Sequence, residues 1–325
     1  MAAINVVRKR SREIFAGRNK LEFDYWLLLG AGALLVIGFL MVYSTTFDLG
    51  FRREDNPVHF VTRQMIAMLI GVVATIILLQ FDYHVLRYIS MPFIFLTVGS
   101  LIYLLFFGTE EYGATRSLFN GSYQPAEAAK LATIIYISHW LHSKGDRIKQ
   151  WNYGLVPFAF LTGVMFALIV LQPALSTASL VGLICLILFF VAGADLKQLL
   201  LVAVVAGVIV TLFMFTLDHA VQRINDFTLG IRDPQQTGYQ VQQALIALAN
   251  GGIWGKGLGS GEQKFGSLPL AHTDGVFAIV GEELGLIGSI GVVAMFAFLA
   301  WRGFRIASRA RDSFGFLLAT GITVW

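Results

Sequence analysis

The stretch AHTDGVFAIVGEELG, residues 271–285, decides how the chain is read. It opens on His272 and Asp274, turns apolar, and then carries two adjacent acids, Glu282 and Glu283. The chain stays apolar from there to Trp301, long enough for a helix that crosses a bilayer, which takes about 20 residues. Carboxylates inside such a helix are costly and as a rule mark either a site or a paired structural group.

The rest of the sequence agrees with a membrane setting. Of 325 residues, 56% are hydrophobic and only 14% charged, against roughly 25% charged in a soluble domain; the mean hydropathy is +0.70. Eight segments are apolar enough to span: Tyr25–Thr46, Phe60–Phe81, Val85–Phe107, Pro125–Leu141, Leu155–Leu171, Leu175–Ala194, Gln198–Leu217 and Gly275–Ala300. A ninth begins at Phe314 and stops at Trp325, about half a span in, so the sequence is expected to lack its carboxy-terminal end. The fold class is therefore all-α: a single polytopic membrane domain over residues 1–325, with a basic tail at 1–24 and a long loop at 218–274.

Bases set the orientation. Arg8, Lys9, Arg10, Arg12, Arg18 and Lys20 crowd the tail. Lys144, Arg147 and Lys149 follow the fourth span, and Arg302, Arg305, Arg309 and Arg311 the eighth. All three fall on one side, which predicts a cytoplasmic amino terminus and an extracytoplasmic 218–274 loop. The net charge of +4 is explained this way and does not call for nucleic acid, since no aromatic-basic platform accompanies it. The single cysteine, Cys185, sits in an apolar run and forms no intrachain disulfide. Within the long loop, Val241, Leu245 and Leu248 recur at helical spacing, predicting a helix over Tyr239–Ala249 that lies on the outer face.

Several ionisable residues stand out. Glu127 and Lys130 are three apart near the start of the fourth span, hence able to pair; they form a structural ion pair or line a polar cavity open to the outside. Asp274 is either a helix cap or a carboxylate at the water boundary, and the second reading is preferred. Glu282 lies roughly 80° round the helix from Asp274, and Glu283 lies opposite. Both glutamates are expected to satisfy buried polar groups on neighbouring helices. Arg116, Arg223, Arg232, Lys256 and Lys264 put cations on the same side as Asp274, which suits a phosphate-bearing substrate. GKGLGSG lacks phosphate-loop spacing and follows no predicted strand. His139 and His142, one turn apart, read as packing or polar contacts rather than metal ligands.

Three stretches resemble one family. GYQVQQALIALANGGIWGKGLGSGEQKFGSLPLAHTDGVFAIVGEELGLIG, residues 238–288, closely resembles the signature region of the SEDS proteins (shape, elongation, division and sporulation). YQPAEAAKLA resembles their fourth-helix motif, and GATR the segment before it. The resemblance implies a SEDS-type bundle that polymerises lipid II into glycan strands by inverting β-1,4 glycosyl transfer, on the outer face of the bacterial cytoplasmic membrane. It implies a class B penicillin-binding protein as partner. It places the family's essential aspartate on Asp274 and its cavity Glu and Lys on Glu127 and Lys130. Arg116, Arg223, Lys256 and His272 complete the expected substrate-binding set. A divalent cation, magnesium or manganese, is the one cofactor left open. QPALST departs from the family pattern, with Ala174 where an acid is common and Ser176 where a glycine is. A lipid II flippase and a non-catalytic scaffold for the transpeptidase are the competing readings.

Overall fold

The computed structural model describes residues 24–54, 58–107, 109–111, 114–117, 124–172, 174–215, 218–233 and 237–325. The apolar runs become helices: α1 (Tyr25–Glu54), α2 (His59–Leu78), α3 (Val85–Phe107), α4 (Pro125–Lys144), α5 (Val156–Val170), α6 (Leu175–Val191), α7 (Leu196–Phe215), α10 (Val276–Ser308) and α11 (Ser313–Val324). A helical turn of wider pitch, Trp151–Leu155, leads into α5. Five helices are long and apolar enough to cross a membrane by length and composition: α1, α2, α3, the run from Trp151 through α5, and α10. α6, α11 and the Leu196–Leu212 stretch of α7 are shorter apolar helices. The protein is a multi-pass helical membrane protein.

Two features differ from the sequence reading. The loop before α4 carries a small antiparallel hairpin, β1 (Thr109–Glu111) and β2 (Ala114–Ser117), so the class is all-α apart from this ribbon. The 218–274 segment contains two helices rather than one: α8 (Asp218–Arg232) precedes the expected α9 (Tyr239–Gly251). α8 alternates polar and apolar residues at helical spacing, which gives it a strong apolar stripe despite its polar composition.

The apolar side chains bury into two clusters. The larger takes Leu101 from α3, Ile134 and Ile137 from α4, Phe158 from α5, Phe189 from α6 and Phe314 from α11. The Phe158 and Phe189 rings stack at 4.1 Å. Cys185 belongs here, with 1% of its surface exposed. The smaller cluster joins Met41 of α1, Ala247 of α9 and Ile279 of α10 with Leu268 and Ala271 of the loop. α11 packs on both α4 and α10, bridging the two clusters.

α10 is not continuous. Gly285 has φ +70° and ψ −169°, which breaks the helical ladder one residue after Leu284. The chain that follows α9 fills the break. Lys256 and Gly257 N–H donate to the Glu282 and Glu283 carbonyls at 3.0 and 2.9 Å, while Leu286 and Ile287 N–H donate to the Gly252 and Ile253 carbonyls at 2.9 and 3.3 Å. Backbone groups released by the break are thereby paired again, as burial in a membrane protein demands. Backbone must approach backbone closely for this. A Cβ on Gly285 would lie 2.3 Å from the Gly255 nitrogen, and one on Gly255 would lie 2.2 Å from the Glu283 carbonyl oxygen. Both glycines also have positive φ.

Candidate active site

Asp274 sits in the turn leading to α10, two residues before the helix begins. The N-cap is Gly275, and no side chain caps the helix; the capping role is therefore not what Asp274 does. Its side chain is exposed and makes no hydrogen bond or ion pair among the described residues. It faces a cleft of about 730 Å³ between α8 and α9. Asp226 and Ile231 of α8, and Tyr239 and Leu245 of α9, line the same cleft. A carboxylate with free lone pairs, in a hollow walled by two amphipathic helices, can accept a proton from a bound hydroxyl.

The loop below it is rigidly held. Glu282 and Glu283 are 0% and 1% exposed. Glu282 accepts from the Glu262 and Gln263 N–H groups at 3.0 and 3.1 Å, and Lys256 Nζ lies 3.5 Å from its Oε1. Glu283 accepts from Gly259 N–H at 3.0 Å, from Lys264 Nζ at 2.7 Å and from the Ser44 hydroxyl at 2.6 Å. Lys264 donates further to Ser44 Oγ at 2.8 Å and to the Gly259 carbonyl at 2.7 Å. Buried carboxylates are stable only when so paired. The partners correct the expectation in part: Ser44 is on a neighbouring helix, but the rest belong to the loop. Sequence reasoning passed over Ser44, since one serine in an apolar span carries no signal. It also passed over Asp226, hidden in a helix that was not anticipated.

Lys256 lies between two acids, with Glu262 at 3.1 Å. The hydrogen bond that Lys256 donates to Glu262 raises its pKa above the usual lysine value, against a smaller opposing effect of burial. His272 rests against Phe60 at the start of α2, ring centroids 6.4 Å apart. Glu127 and Lys130 do pair, at 2.7 Å, with Lys130 also 5.4 Å from the Trp325 ring. They lie on α4, which contributes to the larger cluster and packs on α3, α6 and α11. Asp274, Lys256, Glu282 and Glu283 belong to the α9–α10 region. The structure thus gathers the loop residues around α10 and seats the α4 pair on a different part of the bundle. The side chains of Arg116, Arg223 and Arg232 lie outside the described residues.

Among the described residues no three His, Cys, Asp or Glu side chains converge on one metal position. Asp226 and Asp274 are the two carboxylates that line the cleft, and they would hold a magnesium ion whose remaining positions waters and substrate phosphates fill. His142 contacts Ser313, and both it and His139 pack against the Phe314 ring, in keeping with packing and polar contact.

Comparison with known proteins gives the same picture. Residues 25–325 match the family model of the FtsW, RodA and SpoVE cell cycle proteins. A probable peptidoglycan glycosyltransferase FtsW of Geobacter metallireducens is 35% identical over 93% of this chain and 81% of its own length. The stage V sporulation protein E of Bacillus subtilis is 32% identical, covering 94% of this chain and 84% of that one. Among solved structures, a chain from a peptidoglycan synthase complex that coordinates polymerization and crosslinking superposes with a TM-score of 0.72 at 23% identity, over 93% of this chain and 83% of that one. The Thermus thermophilus rod shape determining protein RodA gives 0.65 at 22% identity, over 94% and 82%. These likenesses extend nearly end to end, and the chain belongs to the FtsW/RodA/SpoVE family of cell cycle proteins.

Proposed function

We propose that this protein is a peptidoglycan glycosyltransferase that joins lipid II disaccharides into glycan strands on the outer face of the cytoplasmic membrane, its amino terminus inside the cell. The observation that carries the reading is the unpartnered Asp274 carboxylate in the α8–α9 cleft, at the mouth of the longest apolar helix. Asp274 removes the proton from the acceptor sugar's 4-hydroxyl as that oxygen bonds to the donor's anomeric carbon. The anomeric carbon–oxygen bond breaks, and its electron pair leaves with undecaprenyl diphosphate. Attack opposite an α-linked diphosphate gives a β-1,4 bond. Cations are needed where that negative charge gathers. Arg116 and Arg223 are assigned there, with His272 at the sugar; Lys130, paired with Glu127 on α4, is assigned to the part of the lipid-linked substrate that extends to that helix. Lys256 joins them only by releasing Glu262, the more exposed of its two acids. A class B penicillin-binding protein is the partner that cross-links the product.

The test is polymerisation of labelled lipid II by the purified chain in detergent. Glycan chains are expected, and Asp274→Asn should lower their rate by about 10²-fold or more with insertion and melting unchanged. Undiminished synthesis by that variant removes Asp274 from the mechanism. Absence of polymer together with lipid II translocation in vesicles would favour a flippase instead.

A further inference from the structure

At the far end of α10 from Asp274 the helix bundle opens into a second cleft, of about 800 Å³. Its charged groups fall into two classes. The acids are engaged. Asp24 pairs with Arg302 at 2.5 Å, tying the start of α1 to α10. Asp82 holds His84 at 2.5 Å. Asp312, which anchors the nearby start of α11, takes the Tyr83 hydroxyl at 2.6 Å and the Arg87 guanidinium. Two of the bases are not engaged. Arg309 and Arg311 line the cleft, are exposed and have no carboxylate partner among the described residues.

Loop arginines alone are an ordinary mark of membrane topology. Here they stand over a concave wall that is apolar: Ile306 of α10 and Leu318 and Ile322 of α11 line the same hollow. Tyr25 and Trp26, 74% and 60% exposed, complete its edge, the residue types that settle at headgroup depth. A ligand matching this surface has an anionic head and a hydrocarbon body. An acidic peptide would use the bases but leave the wall uncovered.

We propose that this cleft binds an anionic phospholipid of the leaflet on that side, its phosphate between Arg309 and Arg311 and an acyl chain along Ile306 and Ile322. The site is separate from Asp274 and stands or falls independently of the glycosyltransferase reading. It would tie the stability of the α1–α10–α11 end to the lipid composition of the membrane.

The experiment is native mass spectrometry of the full chain released from nanodiscs containing equal phosphatidylglycerol and phosphatidylcholine. Preferential retention of phosphatidylglycerol is expected. Arg309→Gln and Arg311→Gln should each weaken the preference about fivefold. The double Arg→Lys variant should keep most of it. Arg305→Gln, whose guanidinium instead covers the Trp301 ring at 5.5 Å, should leave it unchanged. Equal retention of both lipids, or an undiminished preference in the two Gln variants, overturns the proposal. So does loss of the preference to millimolar inorganic phosphate or to a short acidic peptide, since either would place a soluble ligand in the cleft.

Discussion

The two buried clusters handle charge in opposite ways. Beside the larger one, Glu127 and Lys130 answer each other within a single turn of α4. Nothing else in the fold is needed to bring them together, and the Glu is 53% exposed at its side chain while the Lys is 10% exposed. Beside the smaller one, Glu282 and Glu283 are sealed from solvent and are satisfied by groups some 19 to 26 residues before them, and by Ser44 on α1. A local pair costs little chain entropy and constrains little. A distant one can exist only when the whole region is in register, so its charges act as a lock on tertiary structure.

The sharpest way to break this contrast is Glu283→Ala. It strands Lys264, whose side chain is 4% exposed, and should cost about 3–5 kcal/mol; thermal melting in detergent measures it. Restoring most of the stability with the second change Lys264→Met would show that the loss came from the uncompensated charge. Gly285→Ala comes next. It forces a side chain into a φ of +70° and against the Gly255 nitrogen, at about 1–3 kcal/mol for the backbone alone. Hydrogen exchange should rise at Lys256, Gly257, Leu286 and Ile287 together, whereas α4 should be unaffected. Glu127→Gln is expected to be mild for folding, below about 1 kcal/mol, because Glu127 is itself half exposed and the amide oxygen can still accept from Lys130. A stability loss as large as that of Glu283→Ala would erase the distinction between local and distant charges.

The smallest effect is one of pH. Asp312 lies outside the spans; burial pushes its pKa up, but the Tyr83 hydroxyl, the Gly315 N–H, Arg87 and His84 together outweigh it and hold the carboxyl below 3.8. Asp24, held mainly by Arg302, is lowered as well. Tyr83 is pushed up to about 12, by burial first and then by Asp312. A carboxyl with a lowered native pKa adds stability above its unfolded value and loses it as pH falls through the native one. Melting temperature should therefore hold from neutrality to about pH 5 and decline below the ordinary carboxylate range. A Tyr83→Phe variant should show a shallower acid decline.

How much of this was legible beforehand follows from the kind of signal each part carries. Apolar runs such as Val85–Phe107 mark helices outright, because only a helix satisfies so long a stretch of backbone in lipid. The α9 helix was readable from the spacing of Val241, Leu245 and Leu248. α8 was not, because its residues are polar enough to pass for loop. The break at Gly285 left no trace either: a glycine within an apolar run looks like any small packing residue, and only the partner strand of loop explains its φ. Asp274 and the Glu127–Lys130 pair were readable as costly ionisable groups in apolar surroundings. Their distribution over separate parts of the bundle depends on helix packing that pattern alone does not encode.

Cys185 has a practical consequence. It is the one thiol in the chain and it is sealed between helices, so the native sequence is already a silent background for maleimide chemistry in water. A cysteine at Trp254, 81% exposed beside the loop that patches α10, could carry a fluorophore or spin label with no residue first removed. Paired with a second label on α8, it would report the distance between that loop and the cleft wall with and without lipid II.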